Sequence, residues 1–154
     1  MTLFRAATED ELLAIVRLYA DDVLRSASEI TDAPLDSRYV RAFSEIARDR
    51  NQLLAVADDA GELVGTLQLT FIPGLMFRGA WRGQIESVRI ASDRRGQGLG
   101  GRFMTWAVER CRERGCRMVQ LMSTTSRTEA HRFYERLGFV PTHNGYKLQL
   151  DGNI

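Results

Sequence analysis

Ser92-Asp-Arg-Arg-Gly-Gln-Gly-Leu-Gly-Gly101 constrains the fold more than any other stretch of the chain. It follows a strand-like segment and runs straight into residues 102–114. There Phe103, Met104, Trp106, Ala107, Val108 and Cys111 supply helix-compatible packing positions, and Gly115 suits the place just past the helix end. A strand, a glycine-rich turn and a helix N-terminus in that order make an anion site. Glycines let a ligand approach the main chain, successive N–H groups point outward, and the helix dipole favours negative charge. Arg94 and Arg95 add cationic donors at the mouth. The plainer reading, a flexible helix start with two solvated arginines, leaves the clustering of glycines unused. Phosphate binding uses all of it.

The flanking segments predict what carries this loop. Residues 3–7 read as a short strand, and Thr8 with Glu9, Asp10 and Glu11 forms a capping box. Leu12, Ile15, Val16, Tyr19, Ala20 and Val23 then repeat at helical spacing to about residue 24. Residues 25–35, with Pro34, form a loop. A second helix over 37–49 is capped by Asp36 and turns Tyr39, Val40, Phe43, Ile46 and Ala47 inward. Strands follow at Gln52–Ala57, Glu62–Ile72 and Trp81–Ala91, separated by the turn 58–61 and by an apolar loop at 75–80.

After the glycine-rich loop and its helix come a strand at Arg117–Met122 and a second capping box, Ser126 with Glu129. That box opens a helix with Ala130, Phe133, Tyr134 and Leu137 inward and Gly138 at its end. Short strands around Phe139 and at Tyr146–Leu150 close the chain. The order β-α-α-β-β-β-α-β-α-β-β predicts an α/β chain with a central mixed sheet flanked by helices. The 154 residues contain no linker or repeat, so one domain over 1–154 is expected.

Composition narrows the partners. Lys and Arg total 21 against 20 Asp and Glu, a net charge of +1, which argues against a protein whose main task is neutralising nucleic-acid phosphates. Cys111 and Cys116 lack zinc-ligand spacing, so no metal is expected, and one potential disulfide is no framework. The first ten residues carry no signal-peptide pattern, and no stretch approaches the roughly 18 apolar residues of a membrane helix. The expectation is a soluble cytoplasmic protein with neither nucleic-acid nor membrane partners.

Gly96-Gln-Gly-Leu-Gly-Gly101 satisfies the dinucleotide fingerprint G-x-G-x-x-G, but the following strand ends in Leu121-Met-Ser-Thr124 without the acidic residue that would hold a ribose. No Gly-Lys-Ser/Thr ending supports an ATP-binding P-loop. A different pattern takes in more residues. Arg95-Gly-Gln-Gly-Leu-Gly100 is R-x-x-G-x-G, preceded by Ile85-Glu-Ser-Val-Arg-Ile90 and followed by Glu129-Ala-His-Arg-Phe-Tyr-Glu-Arg-Leu-Gly-Phe139. Over 85–139 this resembles the GNAT superfamily of acetyl-CoA-dependent N-acetyltransferases, and the element order matches along essentially the whole chain. The resemblance implies a GNAT-like fold with a site for acetyl-CoA. Its pyrophosphate would lie on the main chain of Arg95, Gly96, Gln97, Gly98, Leu99, Gly100 and Gly101, and its pantetheine arm beside Val88 and Ile90. Thr124 stands where relatives often carry an Asn that contacts the coenzyme.

Acetyl transfer to an amine requires a deprotonated nucleophile, a polarised thioester carbonyl and a proton for the departing thiolate. Glu86 is the candidate general base, directly or through water. It lies on a strand two residues before Val88, on the same face by simple alternation, and the competing reading pairs it with an arginine such as Arg89. The resemblance assigns Tyr134 as the general acid; without it, Tyr134 would read as a core tyrosine. Neither cysteine occupies a nucleophile position, so direct attack in a ternary complex is expected. Asp21, Asp22, Glu29, Asp32 and Asp36 form either a solvated acidic face or a border for a cationic acceptor. The acceptor itself, a small-molecule amine or a peptide or protein amine, stays open. Met76, Phe77 and Trp81 read first as a buried hairpin end, with a substrate pocket or homodimer contact as alternatives. A non-catalytic acyl-CoA-binding regulatory module is the rival reading of the whole.

Overall fold

The computed structural model describes residues 1–152. One mixed sheet has the order β1 (Thr2–Ala6), β2 (Gln52–Asp59), β3 (Glu62–Ile72), β4 (Arg82–Ile90), β5 (Met118–Leu121). The first four strands are antiparallel neighbours, and β5 runs parallel to β4. The helices are α1 (Leu12–Ala20), α2 (Ser37–Arg48), the single turn α3 (Met76–Gly79), α4 (Leu99–Glu113) and α5 (Thr128–Arg136). Among the described residues, no helix is long and apolar enough to cross a membrane.

β2 is apolar at consecutive positions because both of its faces are covered. Leu54 and Val56 meet Leu12 and Ile15 of α1, with Val40, Phe43 and Ile46 of α2 packed against them. Ala55 and Ala57 look the other way, into a core shared with Leu67, Leu69, Ile85, Phe103, Met104 and Ala107. The Phe4 ring stacks on Phe103 with centroids 4.9 Å apart, tying the edge strand to α4. Between β2 and β3 the tight turn places Ala60 and Gly61 at positive φ, the geometry of a two-residue hairpin loop.

Several expectations change. α1 stops at Ala20, short of residue 24, and Val23 and Leu24 are exposed. The Asp22 carboxylate accepts the Leu24 N–H at 3.0 Å, a local bond that competes with continuing the helix. Asp36 caps α2 as predicted, accepting the Arg38 N–H. α4 begins at Leu99, so the last glycines of the loop belong to the helix. α5 begins at Thr128 rather than being capped by Ser126, because Arg127 N–H first turns back onto the Thr124 carbonyl. Met76 and Phe77 are exposed and form no buried hairpin end; Phe77 and Arg78 adopt left-handed backbone angles there. The strands expected around Phe139 and at Tyr146–Leu150 are absent among the described residues; the Phe139 N–H instead donates to the Tyr134 carbonyl at 3.1 Å, and Tyr146, Leu148 and Leu150 are exposed.

Candidate active site

β4 and β5 pair only from Arg82–Ile85 against Met118–Leu121. Past that point β4 continues to Ile90 with β3 alone, leaving its other edge open beside α5. The opening coincides with an irregularity. Ser87 has φ +55°, and the register to β3 shifts between Gln68↔Glu86 and Thr66↔Arg89. One extra residue there is a β-bulge, and it breaks the two-residue alternation. Val88 and Ile90 consequently pack on the α4-side core. Glu86 lies opposite Gln68, with Oε1 3.5 Å from the Thr70 hydroxyl, on the α1/α2 side. The expectation that Glu86 and Val88 share a face is therefore corrected by the bulge. The Val88 carbonyl accepts from Arg89 Nη1 at 2.7 Å, and the Ile90 carbonyl from Arg95 Nε at 3.1 Å.

The glycine-rich loop sits at the end of this opening. Gly96 and Gly98 are both left-handed, at φ +73° and +77°, a conformation that glycine reaches without a Cβ penalty. Gly98 caps α4, and the first bond into the helix is Arg102 N–H to the Gly98 carbonyl at 3.2 Å. The N–H groups of Leu99, Gly100 and Gly101 thus precede the hydrogen-bonded ladder and carry the positive end of the helix dipole. A Cβ built on Gly96 or Gly101 meets no protein atom within 4 Å, whereas one on Gly100 would rest on Phe133 at 3.4 Å and Ile90 at 3.7 Å. The outer surface of the loop is open main chain, which suits a phosphate group. Arg95 stands at the mouth, but Arg94 does not; its guanidinium is held by Asp59 at 2.6 Å and Glu62 at 2.9 Å on the β2–β3 hairpin.

Tyr134 projects from α5 against Phe133 and Phe139, with ring centroids 5.2 and 6.1 Å away. Burial raises its pKa above the usual 10, while the charges of Arg89 and Arg127 pull in the opposite direction. The phenol is protonated at neutral pH, beside two cations able to stabilise its anion. Thr124 is exposed at the start of this layer; its carbonyl accepts the Arg127 N–H and contacts His131 Nε2 at 2.9 Å.

Sequence reasoning missed the ion cluster that joins these parts. The largely buried Asp22 carboxylate receives Arg127 Nη2 at 2.6 Å and Arg89 Nη2 at 3.2 Å. Burial opposes the charge on Asp22, yet the bonds from Arg127 and the Leu24 N–H, with the charges of both arginines, hold its pKa below the ordinary value. Burial depresses the Arg89 pKa, and its Nε is buried without a partner. Tyr19, pushed up to about 12 by burial, lies on the same side near Thr66, Arg89 and Glu86. Asp22 and Arg127 are 105 residues apart, so no local pattern announces the pair. Of the acidic residues considered for a cationic acceptor, Asp22 is neutralised here, Asp36 is tied to Arg38, and Glu29 accepts the Tyr39 hydroxyl. Among the described residues, no group of three His, Cys, Asp or Glu side chains could hold a metal ion.

The sequence pattern of the Acetyltransferase (GNAT) family matches residues 12–139. The aminoalkylphosphonate N-acetyltransferase of Salmonella typhimurium is 30% identical over 142 residues, covering 92% of this chain and 86% of that protein. The L-methionine sulfoximine/L-methionine sulfone acetyltransferase of Pseudomonas aeruginosa is 29% identical over 137 residues, 88% of this chain and 78% of that protein. A solved structure of a transcriptional regulator from Bacillus halodurans C-125 is 47% identical. It covers 97% of this chain and 100% of that one, with a TM-score of 0.95.

Proposed function

Because the chain belongs to the GNAT acetyltransferase family, we propose that it moves an acetyl group from acetyl-CoA to the amine of a small acceptor that also carries an acidic group. The amine attacks the thioester directly in a ternary complex. Glu86, through water or directly, takes the proton that the amine must lose. An N–H of the 88–90 segment stabilises the oxyanion that forms at the carbonyl. As the C–S bond breaks, Tyr134 donates its proton to the sulfur. A thiolate whose conjugate acid has a pKa of about 8.5 receives that proton from a phenol above 10, an uphill transfer in water. Arg89 and Arg127 offset it by stabilising the phenolate.

The observation that carries the acceptor class is the charge count at the site. Two guanidinium groups share the single Asp22 carboxylate, and Arg89 retains an unpaired Nε. This cluster sets two cations against one carboxylate next to Tyr134, which suits a phosphonate or carboxylate better than a further cation. The names of the two curated relatives describe an aminoalkylphosphonate and methionine derivatives, amines with an acid in the same molecule.

The test is acetyl-CoA-dependent thiol release over matched amines with and without a phosphonate or carboxylate, the protein's own two thiols subtracted. Turnover confined to acid-bearing amines, with KM raised in Arg89→Gln, is expected. Equal turnover of the acid-free amines would discard the acceptor class while keeping the enzyme. The regulatory-module reading draws on the description of the Bacillus halodurans relative. It predicts coenzyme binding with no release for any amine.

A further inference from the structure

We propose that Cys111 and Cys116 form a disulfide-exchange site at the C-terminal end of α4, where a small-molecule disulfide of the glutathione type converts the two thiols into an internal bridge. The inference is independent of the acceptor and of the catalytic residues.

The end of α4 fixes the two cysteines relative to each other. Gly115 is left-handed at φ +80°, and its N–H donates to the Arg112 carbonyl at 2.9 Å. The Cys116 N–H donates to the Cys111 carbonyl at 3.0 Å. This pair of bonds is a Schellman motif, and its outer bond brings the side chains of its first and last residues into contact. Apolar side chains commonly make that contact; in this chain both are thiols, and they share a hydrogen bond. Cys111 is buried against β4, where a Cβ on Gly83 would overlap its Sγ, so the glycine leaves the sulfur its place. The residue after Cys116 is anchored as well, since the Arg117 N–H donates to the Trp81 carbonyl at 2.9 Å. With both backbones held, side-chain rotation is the adjustment that a bond between the sulfurs requires.

The two thiols divide the chemistry. Cys116 is half-buried, and the Arg114 charge opposes the burial that raises its pKa. Its sulfur attacks one sulfur of glutathione disulfide, the reagent's S–S bond breaks, and the departing glutathione takes the Cys116 proton. Cys111 is 1% exposed and meets no dissolved reagent, but it needs only to reach its neighbour. Its sulfur attacks Cys116 Sγ in the mixed disulfide, and the second glutathione leaves with the Cys111 proton. The protein loses two electrons and two protons, and one glutathione disulfide becomes two thiols. Burial pushes the Cys111 thiol up to about 11, which makes it a poor leaving group and the finished bridge slow to reopen. The bridge fastens the end of α4 to the approach to β5 under oxidising conditions.

The chain has 2 cysteines, so mass identifies the product without ambiguity. The full chain, held with excess glutathione disulfide at about pH 8, is expected to become about 2 Da lighter within hours. It should run as a monomer on a non-reducing gel, lose both thiols to titration in denaturant, and melt about 5 °C higher until dithiothreitol restores the reduced form. Cys111→Ala should stop at the mixed disulfide, about 305 Da heavier, and Cys116→Ala should stay unmodified. Two free thiols after treatment overturn the proposal. So does a mixed disulfide that persists in the parent chain, a disulfide-linked dimer, or a bridged chain that melts below the reduced one.

Discussion

Tyr134→Phe removes one oxygen and leaves the ring in place between Phe133 and Phe139. Among the described residues no protein group hydrogen-bonds that hydroxyl, so its loss breaks no internal bond, and the change in stability should stay within about 0.5 kcal/mol. The effect on chemistry is far larger. A positioned general acid is worth about 10²- to 10⁴-fold in rate, or about 3–5 kcal/mol in the transition state. Burial raises the Tyr134 pKa above 10, and Arg89 and Arg127 hold it from rising further. The native enzyme should therefore keep its acid form through neutral pH and lose turnover only on an alkaline limb near or above that value. Steady-state kinetics from pH 6 to about 10.5 and calorimetric titration with CoA separate the possibilities. The expected result is kcat lowered at least about 10²-fold, the alkaline limb abolished, and coenzyme affinity changed less than about threefold. Unchanged kcat would refute the reasoning. Lost coenzyme affinity with proportional loss of kcat/KM would recast Tyr134 as a binding residue.

Glu86→Gln should lower turnover about 10²-fold at the acid end of the profile, where free amine is scarce, and progressively less as pH rises; a parallel profile for both proteins would assign the base to another group. Gly98→Ala forces a Cβ onto a residue at φ +77°. It should cost about 1 kcal/mol of stability in urea unfolding and weaken CoA binding through the displaced helix N-terminus, while preserved affinity would remove the loop from the coenzyme site. The Arg5 hydrogen bond holds Glu11 below its ordinary pKa, burial opposing, and Arg5 also bonds Asp58 at 2.8 Å. A carboxylate depressed in the folded state contributes stability above its unfolded pKa of about 4.3 and loses it as pH falls through the lower folded value. Arg5→Met should thus cost about 1–3 kcal/mol at pH 7 and show a flatter decline between pH 5 and 3, read from urea midpoints; an unchanged slope would contradict the linkage.

The amino-acid sequence alone determines the features that rest on neighbours within a few residues. The left-handed glycines at 96 and 98, the helix they open, the Asp36 cap and the two hairpins all follow from local backbone preference and apolar period. The family pattern over 85–139 is legible for the same reason, because motif spacing within one loop and two helices survives translation into space. What the tertiary structure alone decides depends on partners distant in the chain. A bulge at Ser87 sends Glu86 and Val88 to opposite faces, although two-residue alternation puts them together. Asp22 ends α1 early and binds Arg89 and Arg127, joining three elements that carry no mutual signal in sequence. Tyr146–Leu150 has a strand's alternation and still pairs with nothing in its own chain. Alternation states which side of a strand is apolar; only the available sheet edge decides whether the strand forms, because its hydrogen bonds belong half to the neighbour.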